Sequence, residues 1–321
     1  MLPYEKYSKE LIEDIKDKKE LRALDEEFVQ NKLVEFFKDK HHEQAKDKFL
    51  KKLESSKTYK QFTKSKEYKF LIKELRAELR KVYGVFILEG YEKRKKLLEE
   101  LKDAETDEEK KELHDKLFLI HKSTKERMDH YEELYQTIFD TIDDFEKTRK
   151  VLLEKKYVFM DLACGMNPMS SFLFEEKIKR YYASDISTED CEFLKEYFDT
   201  TNIDAVIFPA DLLEPKIFYK LEKIPTDICF IFKTLDGLER VKRDISEDLL
   251  KSINTKYFAV TFPTLSIGGV REIKEHRRLW FERLLDKLEW KYEKFTLNSE
   301  LLYVIQKRWL FVDFLETFLY S

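Results

Sequence analysis

The stretch Val158-Phe159-Met160-Asp161-Leu162-Ala163-Cys164-Gly165-Met166-Asn167-Pro168 constrains the fold more than any other. A short apolar run ends in an acid, a small-residue turn with one glycine follows, and Asn-Pro can cap and start a helix, because proline fits the first helical turn. The pattern reads as strand, tight turn and helix. Gly165 lets the backbone pass close to a ligand, and the helix start beyond it offers free N–H groups. The stretch is neither a GxGxxG fingerprint nor a Walker loop, since no Gly-Lys-Ser/Thr follows. Alone it also fits an ordinary strand-to-helix turn.

The surrounding grammar narrows the choice. After Lys150, strands read at 157–162, 180–185, 204–209, 227–232, 257–262, 290–297 and 301–306. Helices read at 169–178, 189–198, 239–253 and 272–288. Alternation predicts a parallel sheet. Only Asn298-Ser299-Glu300 joins the last two strands, which is too short for a parallel crossover, so they form an antiparallel hairpin. The expected fold is α/β, a seven-stranded Rossmann-like sheet preceded by an all-α domain; with the glycine turn after its first strand and the hairpin at its end, it resembles the S-adenosylmethionine (SAM) methyltransferase class. A plain NAD-binding sheet has no reason to end in a hairpin.

Residues 1–150 read as helices only, with apolar residues at intervals of three and four such as Leu71, Leu75, Leu79 and Val82. The boundaries expected are 1–150 for an all-helical domain, 151–307 for the α/β domain and 308–321 for a helical tail. The chain of 321 residues is 39% charged, yet its net charge is only −4, so local distribution has to be read. Lys51 to Lys81 holds eleven Lys/Arg against four Glu, with Tyr59, Phe62, Tyr68 and Phe70 interleaved. A lone basic helix is commonly a solvated face; the functional reading is a grip on phosphates by Lys64, Lys66, Lys69, Arg76 and Arg80. Three scattered cysteines suggest neither a disulfide frame nor a zinc site, and no metal is expected. The N-terminus lacks an apolar signal core and no run approaches 18 apolar residues, so the expectation is a cytoplasmic protein with no membrane partner.

Strand ends in such sheets carry the ligand groups. Asp161 and Gly165 are placed to meet a methionine moiety. Asp185 follows Asp161 by 24 residues and suits a carboxylate accepting both ribose hydroxyls. Asp211 could accept an adenine amino group while Leu212 offers a backbone N–H and an apolar wall. A single strand-end Asp is commonly a helix cap; three at successive ends, beside a glycine turn, are hard to read as caps alone.

Five stretches carry a resemblance. They are His121-Lys122-Ser123-Thr124-Lys125-Glu126-Arg127; Asp161 to Pro168; Ile231-Phe232-Lys233-Thr234-Leu235; Thr261-Phe262-Pro263-Thr264-Leu265-Ser266-Ile267-Gly268-Gly269; and Glu300-Leu301-Leu302-Tyr303-Val304-Ile305. In these the chain resembles the aminoglycoside-resistance 16S rRNA (guanine-N7) methyltransferases, the Arm/Rmt group and its FmrO-type relatives in antibiotic producers. The resemblance implies SAM as cofactor, Arg127 on the SAM carboxylate, and the 30S subunit with its 16S rRNA as partner. It also implies methylation of guanine N7 in the decoding region, with aminoglycoside resistance as the outcome. It places the loop after Phe262-Pro263-Thr264 on the subunit, with Arg271 and Lys274 as contacts. The chain departs from the family at Thr234-Leu235-Asp236-Gly237, where a proline is usual, and at Leu265 and 270–274, where the family is more basic. Lys233, at a strand end, is the candidate for pocket electrostatics; no general base is needed, because N7 carries a free lone pair. A monomer is expected. Two other readings stay open: a methyltransferase of another RNA site or a small molecule, and a SAM-binding ribosome-associated protein without turnover.

Overall fold

The computed structural model describes residues 7–18, 21–38, 43–82, 86–88, 90–146, 155–265, 272–298 and 300–308. Helices come first, as the spacing predicts: α1 (Ser8–Lys16), α2 (Glu26–Lys38), α3 (Glu43–Ser55), α4 (Tyr59–Phe62) and α5 (Lys66–Val82). Apolar residues at three and four put one face of each helix inward. Phe28, Leu33 and Phe37 of α2 meet Phe49 of α3, Phe62 of α4 and Leu71, Leu75 and Leu79 of α5 in a single core. Phe49 and Phe62 meet edge to face at 5.0 Å, an arrangement the ring quadrupoles favour.

A second helical set follows: α6 (Arg94–Asp103), α7 (Asp107–Phe118), α8 (Lys122–Arg127) and α9 (Tyr131–Glu146). Thr106 and Glu109 form a capping box that starts α7. These helices do not join the first core. Leu117 of α7 and Tyr135, Ile138, Phe139 and Ile142 of α9 share a core with the sheet that follows. In packing, the chain therefore changes partners between α5 and α6, well before the change of grammar at Lys150.

The remaining elements are β1 (Tyr157–Leu162), β2 (Ile178–Asp185), α10 (Thr188–Thr201), β3 (Ala205–Pro209), α11 (Pro215–Glu222), β4 (Thr226–Phe232), α12 (Leu235–Val241), α13 (Ile245–Ser252), β5 (Thr255–Pro263), α14 (Leu279–Lys287), β6 (Lys291–Leu297) and β7 (Glu300–Gln306). The sheet order is β3-β2-β1-β4-β5-β7-β6. β1 to β5 pair in parallel, while β7 runs antiparallel to both β5 and β6. This is the seven-stranded order with a terminal hairpin. Successive residues of β4 alternate faces: Ile228, Phe230 and Phe232 point to the α9–α10 side, Cys229 and Ile231 to the α11–α14 side. Both faces are covered, which is why the strands read as near-continuous apolar runs.

Four expectations differ from what is observed. The stretch expected as a helix from Met169 is a 3-10 segment, Asn167–Lys177, broken at Phe174 with φ −146° and ψ 31°. Helix α11 is not anticipated in the sequence; it is a short helix opened by Pro215, with only Ile217 and Leu221 buried. The helix expected over 239–253 is two, α12 and α13. Asp244 takes a left-handed φ of 64° between them, and the Glu239 carboxylate accepts the Asp244 and Ser246 N–H groups, both at 2.8 Å, so it caps α13 instead of extending through it. The helix expected from Glu272 begins later, because Ile273 N–H bonds Thr264 O at 2.6 Å in an extended segment and a 3-10 turn, Glu275–Arg278, precedes α14. The three cysteines are buried free thiols. Among the described residues, no helix is long and apolar enough to cross a membrane. The expected tail helix lies outside the described residues from 309 on.

Candidate active site

The C-terminal ends of β1, β2, β3 and β4 converge, and the chain is strained where they do. Ala163 and Lys233, following β1 and β4, are non-glycine residues at φ 49° and 56°, a conformation that survives only where the surroundings enforce it. Gly165 sits at φ 50°. A Cβ there would lie 3.0 Å from Cε1 of His121, so the turn needs glycine for backbone and for space. The Asp185 carboxylate pins this turn from β2: Oδ2 accepts the Gly165 N–H at 2.8 Å and Oδ1 the Ser187 N–H at 3.1 Å. Ile186 N–H is a third backbone donor to this carboxylate, which still has acceptor capacity for a hydroxyl. Burial pushes the Asp185 carboxyl up, against those N–H groups.

Asp161 lies deeper. Its Oδ2 accepts from Asn167 Nδ2 at 2.8 Å and from the Tyr181 hydroxyl at 3.0 Å. Its Oδ1 is buried with no hydrogen-bond partner. Burial pushes this carboxyl up to about 7, even against the two bonds and Arg127. An orphaned carboxylate oxygen beside a glycine turn is a costly arrangement without a ligand. An ammonium group, such as the one on the amino acid end of SAM, supplies both the missing donor and the missing charge. By that test the residues fit the cofactor.

Asn167 links this acid to the next group. Its Oδ1 accepts from the Tyr131 hydroxyl at 3.1 Å and from Arg127 at 3.5 Å. Asn167 therefore does not cap a helix, as the sequence suggests; Met166 holds the cap position and the Asn167 amide is turned inward. Arg127, at the end of α8, is buried with its guanidinium 4.8 Å from the Phe232 ring centroid. Its forked edge is taken by Glu300: Nε to Oε1 at 2.7 Å and a terminal nitrogen to Oε2 at 2.9 Å. The bonds to Asn167 and to Thr261 Oγ1, at 3.5 and 3.4 Å, are long. A cofactor carboxylate would meet that second, loosely held edge, and Glu300 keeps the first.

Glu300 also accepts Lys233 Nζ at 2.9 Å, and Lys233 reaches Glu126 at 2.8 Å. Burial would raise the Glu300 carboxyl, but Arg127 and Lys233 outweigh it and hold it near about 2. Lys233 is not a solvated strand-end lysine: its side chain is 12% exposed, between two carboxylates. Thus Arg127, Asp161, Gly165, Asp185 and Lys233, read separately along the sequence, are brought into one connected site.

Asp211 is adjacent, since Ala210 N–H bonds Asp185 O at 2.8 Å. Its Oδ1 accepts the Leu213 N–H at 2.9 Å, and burial raises its carboxyl. The Leu212 side chain, expected as an apolar wall, is buried next to Asp211. It packs with Phe208, Ile217 and Leu235.

Lys64, Lys66, Lys69 and Arg80 are exposed, and so is Phe70 among them, at 42%. On α5, residues 66, 69, 70, 73 and 80 share one face by helical spacing. Arg76 departs from this set. It donates from Nε to Ile15 O at 3.2 Å and to Asp14 O, satisfying carbonyls at the end of α1, a structural task. Lys274 is exposed; Arg271 lies outside the described residues. Arg278, a little further along the same segment, is buried on Asp236 at 2.7 Å.

Three residues escaped the residue-by-residue reading: Asn167, Glu300 and His121. All three lie inside motifs that carry the resemblance, which was their only signal. His121 is buried beside Gly165, its Nδ1 2.8 Å from Ser123 Oγ, and burial with Arg127 drives its pKa down to about 3, so it stays neutral.

The model of the ribosomal RNA methyltransferase (FmrO) family matches residues 67–304. A 16S rRNA (guanine(1405)-N(7))-methyltransferase of Micromonospora echinospora is 28% identical over 243 residues, 74% of this chain and 82% of the relative. One from Serratia marcescens is 32% identical over 193 residues, 60% of this chain and 69% of the relative. The crystal structure of 16S rRNA methyltransferase RmtF with S-adenosyl-L-homocysteine shares the fold, with a TM-score of 0.67 over 94% of this chain and 98% of that one at 20% identity. With most of its length matched and its strand ends arranged as above, the chain belongs to the FmrO family of ribosomal RNA methyltransferases.

Proposed function

We propose that this protein transfers a methyl group from SAM to N7 of a guanine in the decoding region of 16S rRNA. It acts as a monomer in the cytoplasm, on the 30S subunit. The base its relatives methylate is the first candidate. The observation that carries the reading is the orphaned Asp161 Oδ1 in a buried site that also holds Asp185, Gly165 and Arg127. That set is complementary to an ammonium, a ribose diol and a carboxylate on one molecule. SAM supplies an electrophilic methyl on a sulfonium centre.

The residues then do the following. Asp161 and Arg127 fix the amino acid end, and Asp185 fixes the ribose. These contacts hold the cofactor at one orientation, and in-line positioning accounts for much of a methyl transfer barrier. N7 has a free lone pair, so no side chain has to remove a proton. Lys233 and Glu126 stand at the mouth, tied to Arg127 through Glu300. Lys233 there holds the phosphate or carbonyl edge of the target nucleotide, and the carboxylates offset the positive charge that forms on the methylated ring. The exposed lysines of α4–α5 supply the grip on rRNA phosphate. A permanent charge and a methyl group on that guanine would obstruct polycationic aminoglycosides, which gives resistance.

The test is tritiated methyl transfer to 30S subunits, free 16S rRNA and tRNA, followed by mapping of the methylated nucleotide. Label on N7 of a decoding-region guanine in 30S is the expected result. Label on tRNA or on another rRNA site moves the substrate. SAM binding with no label anywhere leaves a ribosome-associated protein without turnover.

A further inference from the structure

The first helical core stands apart from the sheet, yet one of its helices is fastened to the cofactor end of it. Leu24 and Ser187 form a β-bridge, and Asp25 N–H bonds Ile186 O at 3.2 Å. Ser187 Oγ donates to Ala23 O at 3.1 Å, and Thr188 Oγ1 to Asp25 Oδ2 at 3.3 Å. Further along α2, Asn31 Nδ2 donates to Glu214 Oε1 at 2.8 Å, and Glu27 pairs with Lys216. These contacts run from the residues after Asp185 to the start of α11, the edge of the sheet where β2 and β3 end.

Between α2 and those strand ends lies a cleft of about 120 Å³. Phe28 and Asn31 line it from α2; Ile186, Asp211 and Ile217 line it from the sheet side. Asp211 lines the cleft together with Phe28 and Asn31 of α2. The cleft offers apolar surface from Phe28, Ile186 and Ile217 with Asp211 among them; of its other charged groups, Glu27 pairs with Lys216, Glu214 accepts from Asn31 and Asp25 accepts from Thr188. Such a lining suits a planar base bearing an exocyclic amino group, flat faces against apolar side chains and the amino group on the acid. It begins one residue beyond Asp185, the acid assigned to the ribose.

We infer that α2, an element of the helical unit and not of the methyltransferase sheet, forms the outer wall of the site for the adenosine end of the cofactor. The inference rests on the cofactor reading above. It goes further, because α2 lies outside the region the family model matches. The helices that present the exposed lysines, α4 and α5, share a core with α2. The unit that would meet the substrate therefore also shapes the cofactor site.

The test uses the full chain and two ligands. S-adenosylhomocysteine carries both ends of the cofactor; 5′-methylthioadenosine carries the adenosine end alone. Asn31→Trp fills the cleft. Gln30→Trp puts the same bulk on the exposed side of α2 and serves as control. By calorimetry, Asn31→Trp should weaken both ligands at least tenfold, and Gln30→Trp should leave both within twofold. Hydrogen exchange on the unaltered protein gives a second readout: S-adenosylhomocysteine should slow exchange at the backbone amides of 28–33. If the unaltered protein binds neither ligand, the cofactor reading itself fails. If it binds both, and Asn31→Trp binds them equally well or the α2 amides gain no protection, the wall is elsewhere and the inference is overturned.

Discussion

Replacing Glu300 by Gln removes one charge from a site that has no room to compensate. Glu300 is 6% exposed and Arg127 5%. The carboxyl is held from its ordinary 4.5 down to about 2 by Arg127 and Lys233, against burial. That difference corresponds to roughly 3 kcal/mol in favour of the ionised, paired form. Breaking a buried pair by removing one partner typically costs about 3–5 kcal/mol, because the remaining charge is stranded. The two figures agree in scale. At roughly 2–4 °C per kcal/mol for a domain of this size, the unfolding midpoint of Glu300→Gln should fall by about 6–12 °C. The sign with pH follows from a depressed folded pKa: the contribution is full above 4.5 and disappears as pH falls through about 2. The gap between the two proteins should therefore persist at pH 7 and 5 and narrow below. Function should fail selectively. With its anchored edge released, Arg127 no longer presents the other edge to a carboxylate, so S-adenosylhomocysteine should bind at least tenfold more weakly. 5′-methylthioadenosine, which lacks the amino acid end, should bind as before. Thermal unfolding and calorimetry read both effects. A midpoint within 1 °C and an unchanged S-adenosylhomocysteine affinity would refute the argument that Glu300 organises this pair of cations.

Three further outcomes are expected. Binding of S-adenosylhomocysteine should release a proton from Asp161, whose carboxyl sits near about 7; since the ligand's ammonium requires the ionised acid, affinity should be about tenfold lower at pH 6 than at pH 8 and level above that, and calorimetry in buffers of different ionisation enthalpy reads the proton, with equal enthalpies counting against the assignment. Gly165→Ala puts a side chain at φ 50° and 3.0 Å from the His121 ring, so it should cost about 1–2 kcal/mol of stability in denaturant and most of the cofactor affinity; a variant that binds normally would free the turn from its role. Reversing Lys64, Lys66 and Lys69 to Glu should leave S-adenosylhomocysteine binding intact and flatten the salt dependence of 30S binding by roughly 0.7–0.9 in log–log slope for each phosphate that is no longer neutralised; an unchanged slope moves the RNA grip to Lys274 and its neighbours.

What the sequence disclosed, and what it hid, follows the range of the interactions. The β1 turn and Asp185 are legible because strand, acid, glycine and spacing are local signals, and the hairpin is legible because three residues cannot make a crossover. Glu300 is not legible by spacing: its partner Arg127 is 173 positions away, and nothing in either neighbourhood marks them as a pair. The packing of Leu212 with Phe208, Ile217 and Leu235 is likewise out of reach of the sequence, because strand-end leucines face either way. Arg76 belongs to the basic run by composition but serves the end of α1, a contact set by how two helices cross. The split of α12 from α13 turns on Glu239 choosing backbone N–H groups over solvent, which helix propensity does not register.

Helices α6 to α9 carry a consequence for how this chain is made. Tyr131, Tyr135, Ile138 and Phe139 cover a face of the sheet built from Phe159 and Phe230, and those strands are synthesised later. At about 5–20 residues per second, the stretch from Phe139 to Phe230 takes several seconds to emerge. Until those strands arrive, the sheet-facing sides of Tyr135, Ile138 and Phe139 lack their cover, while Tyr131 can already pack on Phe118. α1 to α5, by contrast, complete their core among themselves and can close as soon as they leave the exit tunnel. The chain is thus born with a self-sufficient front and an apolar middle awaiting its cover, and it is the middle that a chaperone would have to shelter.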